Sequence, residues 1–600
     1  MKKNYLYIGS LAVLLTVGSS CEDFKFGDDF LEKPLTTDVT IDSVFAHRKY
    51  AEQVLTEVYH SLPDFLCMDG KLAWGVVDAM TDIGDVVVSS NVANPYYMGQ
   101  MSAATSPGWM PYRLDDVYVK ISGPVTACRM AYIYLENVDR VPDMVEEEKI
   151  RRKGEAKVLI AYHYMDMLRW FGGMPWIDHA YKPEDEMTFE RMTVEEHVNK
   201  IVQLCDEAAS VLPWTVEEND YGRMTAAGAL ALKNRTLQFA ASPLFNSDKP
   251  YLDGAAAQAH NTWYGNYDPA RWQRALDSGL EFLRKNAENG NTYALVQTGD
   301  PRKDFLAGYY NRYIGETLIS SNRFNRMTQQ WYYGITPMRW GNSIPSGVYG
   351  DMFETIDGEP FDWNNPKHAA HPFFDENGYM TRDPRLYETL WVNGDKFRGR
   401  TVEMYEGGRE SWTGQGATMQ MNFYDGYGLR KFALDHDTEL FNHYYQCPLI
   451  RLPEIYLDIA EAMNELGIAT QKDEFGRDAY DYVNLVRNRV NMPDLTSAKA
   501  APGEALREAI LHERVVEFGF EDSRYFDICR WKKYDDWLNR DYYRLKCYKE
   551  ADGSMRYERT NDVFQHRVWI ERWSNKYYLI PIPVDEINKK YGLIQNPGWE

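Results

Sequence analysis

The 600-residue chain reads as a mainly α-helical body that carries an irregular, aromatic-rich part. Three observations predict this. Two blocks, 151–286 and 449–519, repeat apolar residues at i, i+3, i+4 spacing, the period of an amphipathic helix. Between them, residues 291–446 are rich in Gly, Asn, Pro, Tyr and Trp and hold few periodic runs, so they read as long loops with short strands; loops of that length are usually functional. The helical segments follow one another at short intervals, which predicts antiparallel helical hairpins of tetratricopeptide type with a degenerate repeat consensus.

Taken in order, the chain starts with a positive Met1-Lys2-Lys3 and an apolar run over 5–17 that includes Leu6, Ile8, Leu11, Leu14 and Val17. Gly18, Ser19 and Ser20 then lead to Cys21. This is the pattern of a secretory signal peptide over 1–20. The small residues ending in Cys resemble a bacterial lipobox, which makes Cys21 the expected lipidation site, carrying palmitate-type acyl chains. The apolar run falls short of the roughly 20 residues needed to span a bilayer. Residues 21–35 read as a solvated acidic tether. The body over 36–600 divides into an N-terminal helical part (36–290), a loop-rich part (291–446) and a C-terminal helical part (447–600).

In the first helical block, Ala156, Leu159, Ile160, His163, Tyr164 and Met167 define a helix over 151–170, stopped by Gly172, Gly173 and Pro175. A second covers 193–212, with Thr193 and Glu196 spaced as a capping box. A third covers 225–241 and ends before Pro243, and a fourth covers 268–286. The second block gives helices from 449, with Leu452, Ile455, Ile459 and Met463 on one face, then over 478–490 and 503–519.

The formal charge is −23, and −25 without residues 1–20, which contain Lys2 and Lys3 and no acid. An acidic body of this size excludes nucleic acid and anionic lipid as partners of its general field. Beyond Cys21, Cys67, Cys128, Cys205, Cys447, Cys529 and Cys547 are far apart, with no C-x-x-C pair. Buried free thiols are expected, not a disulfide framework or a zinc site.

Catalytic signatures are thin. His512-Glu513 lacks a second His four residues on and is no zincin. There is no P-loop and no G-x-S-x-G elbow. Asp435, Asp437 and Glu439 lack EF-hand spacing, so neither a metal nor a cofactor is called. Paired carboxylates for glycoside hydrolysis are the rival reading, and the densest set is Glu513, Glu517, Glu521 and Asp527 among Arg514, Arg524 and Arg530. Acids and bases alternate there at helical spacing, which predicts an ion-pair network pinning a helix hairpin. Each acid has an Arg to lower its pKa, the opposite of what a general acid needs.

Several runs, in order, resemble the SusD/RagB family of surface nutrient-binding lipoproteins: FLEKP at 30–34, GEAKVLIAYHYMDMLRWFGGMP at 154–175, RDPRL at 382–386, RLPEIYLDIAEA at 451–462, LVRNR at 485–489, HER at 512–514 through Arg530-Trp531, LIPIP at 579–583 and QNPG at 595–598. The resemblance spans nearly the whole mature chain. It implies a SusD-like helical fold with tetratricopeptide-like hairpins, no catalytic activity, and a place on the outer face of the outer membrane. It also implies a SusC-like TonB-dependent barrel as the partner to which glycan is delivered. The RagB side of the family permits peptide capture as an alternative.

The chain holds 17 Trp and 43 Tyr, many of them in Gly/Asn/Pro-rich stretches, which suggests a surface that stacks on flat ligands. Sugar rings present apolar C–H faces ringed by hydroxyls, so a site should mix flat aromatics with planar polar groups on loops. Two segments qualify. One, 91–112, holds Asn94, Tyr96, Tyr97 and Trp109; the other, 322–340, holds Arg323, Asn325, Trp331, Tyr332, Tyr333 and Trp340. Trp331 and Trp340 lead, because Gly, Pro and Asn surround them. Trp74 and Trp412 are weaker candidates.

Overall fold

The computed structural model describes residues 40–63, 77–85, 95–96, 98–105, 123–182, 184–311, 314–325, 344–397, 399–411, 426–431, 443–538, 540–560 and 573–600. Ten helices carry the body: α1 (Arg48–His60), α2 (Pro124–Asn137), α3 (Glu146–Phe171), α4 (Val194–Ala209), α5 (Ala226–Ala241), α6 (Ala270–Glu288), α7 (Leu452–Glu465), α8 (Ala479–Arg489), α9 (Glu504–Phe518) and α10 (Arg524–Trp531). From α1 to α8 each packs on the next in chain order, α9 packs on α7, and α10 packs on α9. The whole loop-rich part intervenes between α6 and α7, yet those two helices are neighbours.

Local chemistry explains the boundaries. Thr193 Oγ1 accepts from Glu196 N, and the Glu196 carboxylate accepts from Thr193 N, so the expected capping box opens α4. Asp478 and Asp481 do the same for α8. Helix α3 ends at Gly172, whose φ of 82° suits glycine, and Gly173 has no room for a side chain, because a Cβ there would lie 2.1 Å from the Met192 carbonyl oxygen.

Arg191 locks this stop. Its guanidinium donates to the carbonyls of Phe171 (2.7 Å), Gly173 (2.7 Å) and Ile594 (2.9 Å) and to Asn596 Oδ1 (2.9 Å). Asn596 Nδ2 in turn donates to the Ile580 carbonyl (2.8 Å), so the 154–175, 579–583 and 595–598 runs meet at one buried cation.

The structure moves several boundaries: α3 opens at Glu146, five residues before the expected 151, and α4 closes at Ala209, short of 212. Residues 449–451 close a strand, not a helix: β1 (Thr317–Asn325) and β2 (His443–Arg451) form an antiparallel pair, and α7 begins only at Leu452. Pro448 sits at a register irregularity of this two-stranded sheet, where its missing N–H is tolerated. A hairpin of Arg544–Lys549 with Met555–Thr560 is added near the C-terminus. Cys128, Cys205, Cys447, Cys529 and Cys547 are buried, as expected, and none of the five is in a disulfide.

Candidate functional site

Strand pairing joins chain that precedes the 91–112 segment to chain that follows the 322–340 segment. Gly84 and Asp85 pair antiparallel with Pro345 and Ile344. Chain leaving Asp85 toward residue 86 and chain arriving at Ile344 from residue 343 therefore share one end of that small sheet. The clasp is tied further: Ser346 N donates to the Ile83 carbonyl (3.0 Å) and Ser346 Oγ to the Asp82 carbonyl (2.6 Å). The Asp82 carboxylate, despite burial, is held below the usual range by Arg524 (2.8 Å) and Arg540 (3.0 Å).

The other end of the second segment is set by β1. Arg323 pairs with Tyr445 and Asn325 with His443, so the chain toward Trp331 departs from the end of a nine-residue ladder. Trp331, Tyr332, Tyr333, Trp340, Asn94, Tyr97, Trp109, Trp74 and Trp412 lie outside the described residues, as do Cys21 and the 435–439 acids.

Tyr96 is a correction. Its ring is 1% exposed, with centroids 5.7 Å from Tyr577 and 6.2 Å from Tyr525, so it presents no face to a ligand. Its Asn- and Pro-rich surroundings carry no sign that a segment almost 500 residues away covers it.

The acid–base set forms a buried ion-pair network. Glu517 meets Arg385 (3.2 Å), Arg451 (2.9 Å) and Arg489 (2.6 Å). Glu513 meets Arg385 (2.6 Å) and Arg487 (2.9 Å), and Arg489 also reaches Glu316 (2.8 Å). Burial alone would raise these carboxyl pKa values; the guanidinium groups overcome it and hold Glu513 and Glu517 below the ordinary range. Asp527 is lowered in the same way by Arg514 and Arg530. Asp458 goes the other way, pushed up to about 8 by burial with Glu454 and Glu461 close by, but at 2% exposure it meets no solvent.

Sequence spacing gives no sign of the partners Arg385, Arg451, Arg487 and Arg489, although each lies in a run that resembles the family. Those runs, 382–386, 451–462, 485–489 and 512–514, thus share one destination in space. A second network, also unforeseen, joins α1 to α3 through Arg152 with Glu52 (2.9 Å) and Glu155 (2.8 Å), and Arg223 with the same two acids (2.7 and 2.9 Å).

Among the described residues no cluster could hold a metal ion, and no helix is long and apolar enough to cross a membrane. Comparison with known proteins decides the family. A family model described as "SusD family" matches residues 319–599, and one described as "Starch-binding associating with outer membrane" matches 92–236. The chain belongs to the SusD/RagB family. A SusD-like protein of Formosa agariphila is 23% identical over 415 residues, 67% of either chain. The fold matches a SusD-like protein from Bacteroides fragilis with a TM-score of 0.68 at 21% identity, covering 94% of this chain and 100% of that one. It also matches surface glycan-binding protein A from Bacteroides fluxus, with a TM-score of 0.55 at 19% identity, over 92% and 100% of the two chains. The helical stack with its interposed loop-rich part is the fold that the chain shares with these solved structures.

Proposed function

We propose that the protein is a non-catalytic, cell-surface glycan receptor that delivers poly- or oligosaccharide to a SusC-like TonB-dependent barrel for import. The observation that supports the reading is the Asp85–Ile344 clasp within a SusD/RagB chain, since chain that leads toward one aromatic, amide-rich segment pairs there with chain that follows the other. Trp331 and Trp340 stack on sugar rings, assisted by Tyr332, Tyr333, Tyr97 and Trp109, while Asn94, Arg323 and Asn325 bond hydroxyls. The absence of catalysis is supported by the network above: Glu513 and Glu517, the strongest hydrolase candidates of the sequence, are ionised, arginine-bound and buried. They have no proton to give a glycosidic oxygen.

In this reading Cys21 bears the lipid, and the acidic segment behind it lets the body swing over its transporter while staying attached. Calorimetric titration against oligosaccharide and peptide panels tests the ligand class. Heat with at least one oligosaccharide is expected; heat with peptides alone overturns the glycan assignment.

A further inference from the structure

The connection between α3 and α4 and a C-terminal loop build a row of aromatic rings at the surface. His179 stacks on Tyr181, with centroids 3.9 Å apart and 28° between the planes. Tyr181 meets Phe189 (5.1 Å, 62°), and Phe189 meets Tyr591 (5.6 Å, 74°). His179 is exposed and the other three are half-buried. None of the four belongs to the aromatic segments at 91–112 and 322–340.

The row is held from behind. Ala180 N donates to Glu136 Oε1 (2.9 Å) and the Arg129 guanidinium donates to the Tyr181 carbonyl (3.2 Å), both partners coming from α2. Lys182 N donates to Asp185 Oδ2 (2.6 Å), and Phe189 N donates to the Tyr591 carbonyl (2.6 Å). The His179 ring is oriented by Asp178 Oδ1, 2.6 Å from its Nδ1. Rings fixed in this way lose little freedom when a ligand settles on them.

The row also continues the ligand surface. Tyr577 packs on Tyr96 (5.7 Å), Val584 N donates to the Ala103 carbonyl (2.7 Å), and the short helix Val584–Asn588 leads on to Tyr591. One C-terminal stretch thus runs from the 91–112 segment to the row. Along the row the acids Asp178, Glu184, Asp185, Glu186 and Glu190 outnumber Arg129 and Lys182, a field that disfavours a polyanion.

We propose that this row is an outlying subsite for the extended chain of a neutral polysaccharide, gripping sugar rings beyond those held by the aromatic segments. The proposal rests on the glycan-binding reading and adds chain length and neutrality to it. Sugar C–H faces pack on Tyr181, Phe189 and Tyr591, and hydroxyls bond Lys182 and Glu190. Because the ring planes turn along the row, it suits a chain that bends between rings.

Affinity electrophoresis and calorimetry on the full chain test this. The polymers are pullulan, laminarin, galactomannan, arabinoxylan and polygalacturonate; maltotriose, laminaritriose, mannotriose and xylotriose are the short probes. For a neutral polymer that retards the wild-type chain, Tyr181→Ala and Tyr591→Ala are each expected to weaken retention at least fivefold and to leave binding of the matching trisaccharide unchanged. Tyr181→Phe and Tyr591→Phe should keep both. Tyr181 lies in a surface loop and Tyr591 gives only its carbonyl to the bonds above, so thermal unfolding should not move. Wild-type retention in both alanine variants overturns the subsite, as does an equal loss of trisaccharide binding, an equal loss in the phenylalanine variants, or row-dependent retention by polygalacturonate. If the alanine variants keep polymer while Trp331→Ala and Trp340→Ala lose it, this inference alone falls. Free migration of the wild-type chain in all these gels removes the glycan reading and this inference with it.

Discussion

Glu517 accepts from three arginines brought by three different segments, and Arg385 is shared between it and Glu513. Removing one member leaves buried guanidinium charge undercompensated, and breaking a buried pair typically costs about 3–5 kcal/mol. Glu517→Gln should therefore lower the urea-unfolding free energy by about that amount and should not abolish any turnover, since none is expected. His197 offers a pH test. It is buried and neutral: Met174 N donates to its Nδ1 (3.1 Å), and its Nε2 pairs with the Tyr164 carbonyl (3.1 Å). Burial, the largest cause, lowers its pKa from 6.5 to about 4. Because the folded pKa lies below the unfolded one, the unfolded state takes the proton first. This contribution is intact above pH 6.5 and is lost as pH falls toward 4. By linkage the loss is about 2–3 kcal/mol by pH 4.5. In His197→Gln the stability difference from wild type should narrow by that amount between pH 7 and 4.5; a constant difference would rule the assignment out.

At the scale of elements, glycines set the close approaches. A Cβ on Gly279 of α6 would lie 2.5 Å from Ile459 Cγ1 of α7. Gly279→Ala should thus destabilise by about 1–3 kcal/mol through overpacking, although alanine in a helix is otherwise favoured by about 1 kcal/mol. Thermal unfolding that rises instead would show that α6 and α7 pack less closely than described. Helices with a clean apolar stripe and local caps, such as α4 and α8, were legible in the sequence, because both signals lie within a few residues. Helix α1 carries a readable stripe of Ala51, Leu55 and Val58. Helix α2 buries Ala127, Cys128, Ala131 and Tyr134 and reads ambiguously beside its Val, Ile and Tyr residues. The β1–β2 ladder was not legible, since it joins segments more than 100 residues apart and runs through Ser320, Ser321 and Pro448. The buried role of the acid set was read correctly from spacing. Its arginine partners were not, because Arg385, Arg451 and Arg489 arrive from distant elements.

For the whole molecule, the helical stack and the ion-pair networks make a rigid frame, and the loop-rich part is inserted between two helices that touch. The small sheets at 84–85/344–345 and β1–β2 tie that insertion down. Replacing Cys21 by Ala should shift the protein from the membrane fraction to the soluble fraction; unchanged membrane retention would count against the lipid anchor. The central claim is glycan capture without turnover, and affinity electrophoresis through gels containing a broad panel of polysaccharides tests it most directly. Retardation by at least one polysaccharide, with Trp331→Ala and Trp340→Ala migrating freely and the polymer unshortened, is the predicted result. Free migration of the wild-type chain in every gel, or cleavage of the polymer that retards it, would contradict it.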